Sequence, residues 1–399
     1  MKLGIHYHIP LLKTPDNKLY TLGFFGVFLD SLASEVDELI CFLHSPLERE
    51  KASMDYRIKS NNITLVDIGP HDALYYRLIR SSTIRKKCTS HMRNIDALLI
   101  RTPTPLVLTL SKSAGLEKVT LLLVGDYEEG SKTLGFGVIK NFILKKWGQY
   151  YNYRLKKLIA QVNVMANSDH LKEKFKLFND QIRVITTTTL SKQSFFYRND
   201  TCNNPDIKLL YTGRIDTGKG ILEMGEALYE LRKKGYNVHL NIAGWDDDRG
   251  LKSTNMLKEL ANTKGIVDFI HFLGRKQIGD ELNNVYRDAD IYLMCSQLIE
   301  GFPRTIWEAM ANSLPVIATK VGSMPHFLSN KKTALLIDPM NVGQLVDTIE
   351  ELINNSQLRK TLIIGGFELA QQNTLESQAK KMIQAIKKPI LPHAAELTL

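Results

Sequence analysis

Glu300 and Glu308 are the residues whose type and spacing first suggest chemistry. They lie in SQLIEGFPRTIWEAMA (296–311), which follows the apolar strand pattern DIYLMC (290–295) and opens a helical one. Carboxylates accept hydrogen bonds from hydroxyls. Gly301 lets the backbone approach a ligand with no Cβ in the way, and Pro303 suits a first helical turn, where its missing N–H is not needed. The free N–H groups of such a turn, with the positive end of the helix dipole, make an anion site. Together they would suit a phosphate with hydroxyl-rich groups on either side, which is what a sugar nucleotide presents. A glutamate in a first turn can equally do no more than complement the dipole. The stretch taken alone is compatible with both.

Glu300-x7-Glu308, with Gly301-Phe302-Pro303 between, resembles the E-x7-E signature of retaining GT-B glycosyltransferases, glycosyltransferase family 4. The resemblance implies that Glu300 meets the donor sugar, the amides of Gly301 and Phe302 meet the diphosphate, and Glu308 binds the ribose. The string GRIDTGKG (213–220) resembles the GR…KG motif of the same family. By that likeness Arg214 and Lys219, after Gly213, clamp the diphosphate, and Gly274 and Arg275 present backbone groups to the nucleobase. Fixed cations are what this chemistry requires, because a departing nucleoside diphosphate accumulates negative charge. Arg supplies a planar fork and Lys a point charge. The loop Gly322-Ser323-Met324-Pro325 departs from the family's GG-x-x-E ending, with His326 in place of the acid. Asp246-Asp247-Asp248 could suggest a metal, but it reads as a solvated turn, and no metal and no cofactor are expected.

The elements that must position these residues alternate short apolar runs with helical patterns, the mark of parallel α/β domains. In the first half strands are expected at 2–9, 38–44, 63–68, 96–102, 119–125, 162–167 and 182–185. Helices are expected near 24–35, 73–92, 105–114 and 136–160, and the polar stretch 186–206 reads as a linker. In the second half strands fall at 207–213, 238–244, 269–274, 290–295, 314–319 and 333–337, with helices between them. A last helix over 375–387 has room to cross back to the first domain, as in GT-B enzymes. The expected architecture is therefore α/β, GT-B, with two facing Rossmann-like domains and a cleft between them. The first domain (1–190) would take the acceptor and the second (207–372) the nucleotide sugar, with 373–399 as returning helix and tail. Ligands in such sheets bind outside the carboxyl ends of strands, and the motifs above all fall there.

The first half offers weaker candidates. Gly23 and Gly26 precede or open a helix whose amides could meet a sugar phosphate. Arg101 stands where many family members carry a His; it cannot act as a base, but it could hold an acceptor phosphate. His8, nearest the end of the first strand, and Asp126, after the strand at 119–125, are further acceptor-side candidates.

Net charge separates the halves. Residues 1–200 hold 29 Lys and Arg against 19 Asp and Glu, whereas residues 201–399 hold 23 of each. Two acid-free segments, 75–93 and 140–157, carry much of the excess, the second with Trp147, Tyr150, Tyr151 and Tyr153. A basic helix with interfacial aromatics can lie on an anionic bilayer; no nucleic-acid-binding motif accompanies it. The four cysteines are far apart, which fits a reducing compartment. The N-terminus lacks a signal-peptide core, and no run approaches the roughly 18 apolar residues of a spanning helix. The chain is expected in the cytoplasm, held at the inner face of a membrane by its basic half.

The resulting expectation is a retaining glycosyltransferase, moving a sugar from a nucleotide sugar to a glycan or lipid-linked acceptor in surface polysaccharide biosynthesis. The alternatives are an NDP-sugar 2-epimerase on the same fold and a non-catalytic membrane adaptor.

Overall fold

The structure, a computed structural model, describes residues 1–125, 138–186, 188–248, 250–297 and 302–390. The chain divides into two compact units, Met1–Thr187 with Glu376–Leu399, and Thr188–Leu375.

The first unit is built on seven parallel strands. In chain order they are Lys2–His6, Glu38–Ser45, Ile63–Pro70, Ala97–Thr102, Val119–Leu123, Asn163–Ala166 and Arg183–Val184. Their spatial order is 3-2-1-4-5-6-7. Helices cover both faces, so the strands read as unbroken apolar runs rather than alternating ones. Period two still decides which face each residue meets: Leu98 and Ile100 enter one core cluster, Ala97 and Leu99 the other. Into the second cluster the helix Leu375–Lys387 inserts Ala379, Met382, Ile383 and Ile386. Asn163 ties that helix down by donating to the Ala385 carbonyl at 3.0 Å.

The second unit has six parallel strands: Ile207–Arg214, Val238–Trp245, Ile270–Gly274, Ile291–Met294, Val316–Thr319 and Leu335–Ile337. They lie in the order 3-2-1-4-5-6, the doubly wound arrangement whose ligand crevice opens where strands 1 and 4 diverge. Its core is one cluster, with Trp307, Tyr211, Tyr286 and Tyr292 fully enclosed.

Three features differ from the expectation. A small antiparallel sheet of Leu12–Lys13, Leu19–Thr21 and Tyr56–Arg57 stands beside the first sheet. A helix, Asp169–Phe175, starts at Ser168, whose hydroxyl accepts from Leu171 N. Residues 188–206 are not a free linker but a strap on the second unit. There the Arg198 guanidinium donates to the carbonyls of Arg287 and Ala289 at 3.0 and 2.6 Å, and Asp200 pairs with Arg359 at 2.7 Å. The basic helices are Leu74–Ile79, Ser81–Arg93 and Val138–Ile159. Of the aromatics expected at a bilayer, Tyr150 and Tyr153 are exposed. Tyr151 is buried, and it donates to the Thr104 carbonyl at 2.8 Å with Trp147 packed beside it. Among the described residues no helix is long and apolar enough to cross a membrane.

Candidate functional site

The crevice of the second unit lies between the ends of strands Ile207–Arg214 and Ile291–Met294. Gly213 is at φ +142°, and Gly244 on the neighbouring strand approaches it so closely that a Cβ there would stand 1.7 Å from the Gly213 carbonyl oxygen. This contact requires a glycine and sets where the chain leaves the sheet. Arg214 is half exposed and pairs with Asp247 at 3.4 Å. Asp247 also accepts from the Trp245 indole at 2.6 Å, and the Arg275 guanidinium lies 5.0 Å above that ring. Asp246 accepts from Thr254 N at 2.9 Å near the start of helix Lys252–Lys264. The acidic run is thus a set of turn and helix-start acceptors, as its reading as a turn anticipates.

Asp216 caps the next turn by accepting from Gly218 N at 2.7 Å. Lys219 closes it and is only 9% exposed, although lysine is rarely buried. Gly220, at φ +75°, then starts helix Ile221–Lys233 with its Cα against the Cys295 backbone. The far side of the crevice is laced to this turn: Gln297 N donates to the Gly218 carbonyl at 2.8 Å, and Gln297 Nε2 to Glu223 at 2.6 Å. Thr319 donates to the Ser296 carbonyl at 2.6 Å. The positions of Arg214, Lys219 and the 296–297 segment therefore converge on one crevice.

Glu300 and Gly301 lie outside the described residues, as does Asp126. Beyond them, Phe302 is buried, its ring 4.2 Å from Trp307 and 4.9 Å from Phe327. Pro303 sits one residue earlier than expected, as N-cap of helix Arg304–Ala311. Glu308, on that helix, accepts from the Thr189 hydroxyl on one oxygen and from Tyr286 at 2.8 Å on the other. Burial and then the Glu308 charge push the Tyr286 phenol well above its usual range, so it stays a donor. Thr212 in turn bonds the Tyr286 hydroxyl at 2.7 Å. A carboxylate offers about four acceptor positions, so two remain for ligand hydroxyls. The residue pattern does not reveal Thr189, Tyr286 or Thr212, because a buried Tyr on a helix reads as core. Gly274, at φ +69°, and Arg275 end their strand exposed. His326 is exposed on the short helix Met324–Phe327, while Ser323 before it is buried with its hydroxyl unpartnered.

In the first unit, helix Gly23–Ala33 begins at Gly23 itself. Gly23 does not offer its amide to a ligand as expected: its N–H is donated to Asp55 at 2.9 Å. Gly26 makes room for the Tyr56 ring, which a Cβ would meet at 2.1 Å. His6 is satisfied in the core, bonded to the Phe42 carbonyl at 2.7 Å and to Thr104 at 2.8 Å. His8 lies past the strand end, half-buried, and burial followed by the charge of Arg77 holds it down at about 4. The Arg101 guanidinium lies 4.4 Å over the Tyr7 ring.

Residues 195–369 match the family model for glycosyl transferases group 1. The group 1 segment thus holds Arg214, Lys219 and Glu308 and lies wholly within the second unit. A D-inositol 3-phosphate glycosyltransferase of Corynebacterium urealyticum is 27% identical over 186 residues, 46% of this chain and 43% of that protein. A lipopolysaccharide 1,2-N-acetylglucosaminetransferase of Salmonella typhimurium is 32% identical over 153 residues, 37% of this chain and 40% of that protein. The chain therefore spans less than half the length of these curated relatives. A solved glycosyltransferase from Rickettsia africae matches at TM-score 0.71 and 20% identity, over 97% of this chain and 98% of that one. That likeness shows the fold: two Rossmann-like α/β domains with parallel sheets, as in GT-B glycosyltransferases.

Proposed function

We propose that this chain is a retaining, metal-independent glycosyltransferase of family 4 type, which moves a sugar from a nucleotide sugar to a glycan or lipid-linked acceptor. The observation that carries the reading is Lys219, a lysine buried at the switch point of the second sheet on a turn bonded to residue 297. A cation carried on a turn fixed by backbone hydrogen bonds suits a diphosphate. Arg214 would add its fork to the same phosphates, the amides of Gly301 and Phe302 would complete their cradle, and Glu308 would take the ribose hydroxyls. Gly274 and Arg275 would meet the nucleobase. In a front-face displacement the bond from the anomeric carbon to the diphosphate breaks as the bond to the acceptor oxygen forms on the same face. The acceptor proton passes to the departing phosphate.

The test is product analysis by NMR with a panel of nucleotide sugars, with and without glycan acceptors. Transfer with an unchanged anomeric configuration is the expected result. Inversion would remove the retaining mechanism, and release of free sugar and nucleotide without any acceptor would mean epimerase chemistry instead. Glu300→Gln should lower turnover about 10- to 100-fold with an unchanged melting curve, since hydrogen bonds to charged groups contribute about 1.5–3 kcal/mol. A near-normal rate would take Glu300 out of the site.

The basic first half supports a working place on an anionic membrane surface, in surface polysaccharide assembly. Exposed Arg85, Lys86 and Lys87 and exposed Tyr150, Tyr153 and Lys157 are the surface features behind this. Each basic residue near such a surface contributes about 1 kcal/mol. Changing Lys145, Lys146, Lys156 and Lys157 together to Glu should abolish cosedimentation with phosphatidylserine-containing liposomes at low salt. Unchanged cosedimentation would end the membrane proposal.

A further inference from the structure

Helices Val107–Ala114 and Val138–Ile159 of the first unit pack on each other and leave a groove of about 220 Å³ beside their last turns. Ala114 leads through Leu116 into strand Val119–Leu123, and Ile159 leads through Gln161 into strand Asn163–Ala166. The groove therefore lies at the end of the sheet where strands start. Ligands of open α/β sheets bind at the other end, outside the carboxyl ends of the strands.

Three cations border the groove, Lys112, Arg154 and Lys157, and among the described residues no acid lines it. Glu117, next to Leu116, is exposed, and its carboxylate is folded over Gly115, where an added Cβ would stand 2.3 Å from it. Lys112 and Lys157 stand in the last turns of their helices, where a cation complements the dipole. Each such helix end carries the equivalent of about half a negative charge, so two ends offset about one of three positive charges. Arg154 Nη1 donates to the Tyr150 hydroxyl at 2.9 Å, and Lys157 Nζ lies 4.6 Å over the Tyr153 ring. Both aromatic rings are exposed on the same helix. Two of the cations are thus steadied by neutral partners, and their charge stays available to an anion.

Ser111 is the second, independent observation. It lines the groove, is 1% exposed, and its hydroxyl is buried with no hydrogen-bond partner. A helical serine can bond the carbonyl four residues back, as Ser113 bonds that of Thr109 at 2.8 Å on the same helix. Ser111 makes no such bond. A buried hydroxyl left unpaired is costly, and native structures seldom keep one. A phosphate oxygen would accept from it and from the three cations together. Leu108, Leu116 and buried Leu158 give the groove an apolar wall as well. Its volume falls below the roughly 300–1,000 Å³ of a drug-sized pocket. It fits a head group and the start of a chain, not a sugar nucleotide.

We propose that this groove binds a phosphate ester carrying an apolar chain, with the phosphate on Ser111, Lys112, Arg154 and Lys157 and the chain on the leucines. The source is the head group of an anionic phospholipid. That choice of source rests on the membrane-surface reading above; the site itself does not. A basic face attracts a bilayer diffusely, whereas this groove takes one ligand per chain.

Isothermal titration of the full chain with dihexanoylphosphatidic acid, kept below its micelle concentration so that no bilayer is present, tests the site. Dihexanoylphosphatidylcholine, glycerol 3-phosphate and inorganic phosphate are the comparison ligands. Phosphatidic acid should saturate at one per chain and bind about tenfold or more tightly than each of the others, since it alone joins net negative charge to an apolar chain. Arg154→Gln should weaken it about fivefold or more. Ser111→Ala should weaken it about tenfold while the melting temperature holds or rises, because the hydroxyl it removes makes no hydrogen bond within the protein. A serine with a purely structural role would lower the melting temperature instead. The inference is overturned if phosphatidic acid does not saturate, if phosphatidylcholine or glycerol 3-phosphate binds as tightly, or if both variants bind as the parent does. Cosedimentation with phosphatidylserine-containing liposomes separates the two readings. Saturable binding of the monomeric lipid without cosedimentation would leave the site standing and remove the membrane surface. Cosedimentation without saturable binding would do the reverse.

Discussion

Lys219→Met is expected to lower the turnover of sugar transfer about 100- to 1,000-fold, with an unchanged melting temperature. Methionine keeps most of the buried stem, so packing is largely conserved, and only the charge is removed. Lys219 is buried on a three-residue turn whose start is fixed by Asp216 and whose Gly218 carbonyl is held by Gln297 N. The turn that carries the lysine is therefore fixed by its own hydrogen bonds before any ligand arrives. Preorganised charge at a leaving group is the largest single contribution in many enzymes, and removing one such donor costs about 100- to 1,000-fold. Arg214 provides an internal contrast. It is 51% exposed and paired with Asp247 at 3.4 Å, so its contact to a phosphate must compete with water and with that carboxylate. Arg214→Met should accordingly cost about tenfold, mostly in KM. Rates for both variants with a saturating nucleotide sugar decide the matter. If Lys219→Met retains a third or more of the parent turnover, the diphosphate does not leave beside this turn.

The second unit was the more legible in sequence, for a physical reason. Most of its strands are buried on both faces and appear as short apolar runs, and the runs at 207–213, 238–244 and 269–274, each ending on a glycine, match the observed strands to within a residue. Gly213, Gly220 and Gly244 mark backbone approaches that no other residue permits, and sequence shows them directly. What stayed hidden is non-local. The strand Leu19–Thr21 pairs with Tyr56–Arg57 across an intervening helix and strand, and strands of two or three residues leave no periodicity to detect. The strap at 188–206 looked like a linker because its attachments are single polar residues, Arg198 and Asp200, reaching distant carbonyls and Arg359. The same holds at the sites. Arg214, Lys219 and Glu308 stand in a readable spacing, whereas Tyr286 and Thr189 meet Glu308 only through the fold. Ser111 and Arg154 are far apart in sequence, and only the packing of their two helices brings them to one groove.

Gly220→Ala should be among the most destabilising single-methyl changes in the second unit, lowering its melting temperature by roughly 4–20 °C. Two costs combine. A non-glycine residue in the left-handed region costs about 1–2 kcal/mol. The added Cβ would also stand 2.2 Å from the Cys295 carbonyl oxygen and 2.9 Å from its carbonyl carbon, both backbone atoms at the end of strand Ile291–Met294. Overpacking of this kind costs about 1–3 kcal/mol, and a strand end cannot rotate away as a side chain can. For a domain of this size each kcal/mol shifts the midpoint by about 2–4 °C. Gly235→Ala isolates the first cost: it has φ +92° but nothing within 4 Å of its added Cβ. Its midpoint should fall by about 2–8 °C, on the same scale. The difference between the two variants measures the close approach alone. The clash should also push residues 295–297 off the Gly218 turn, so Gly220→Ala is expected to lose turnover even well below its melting temperature, while Gly235→Ala keeps it. Equal midpoints and equal rates in the two variants would mean that the Lys219 turn is not braced against the 291–297 strand end. The cation would then have no fixed address.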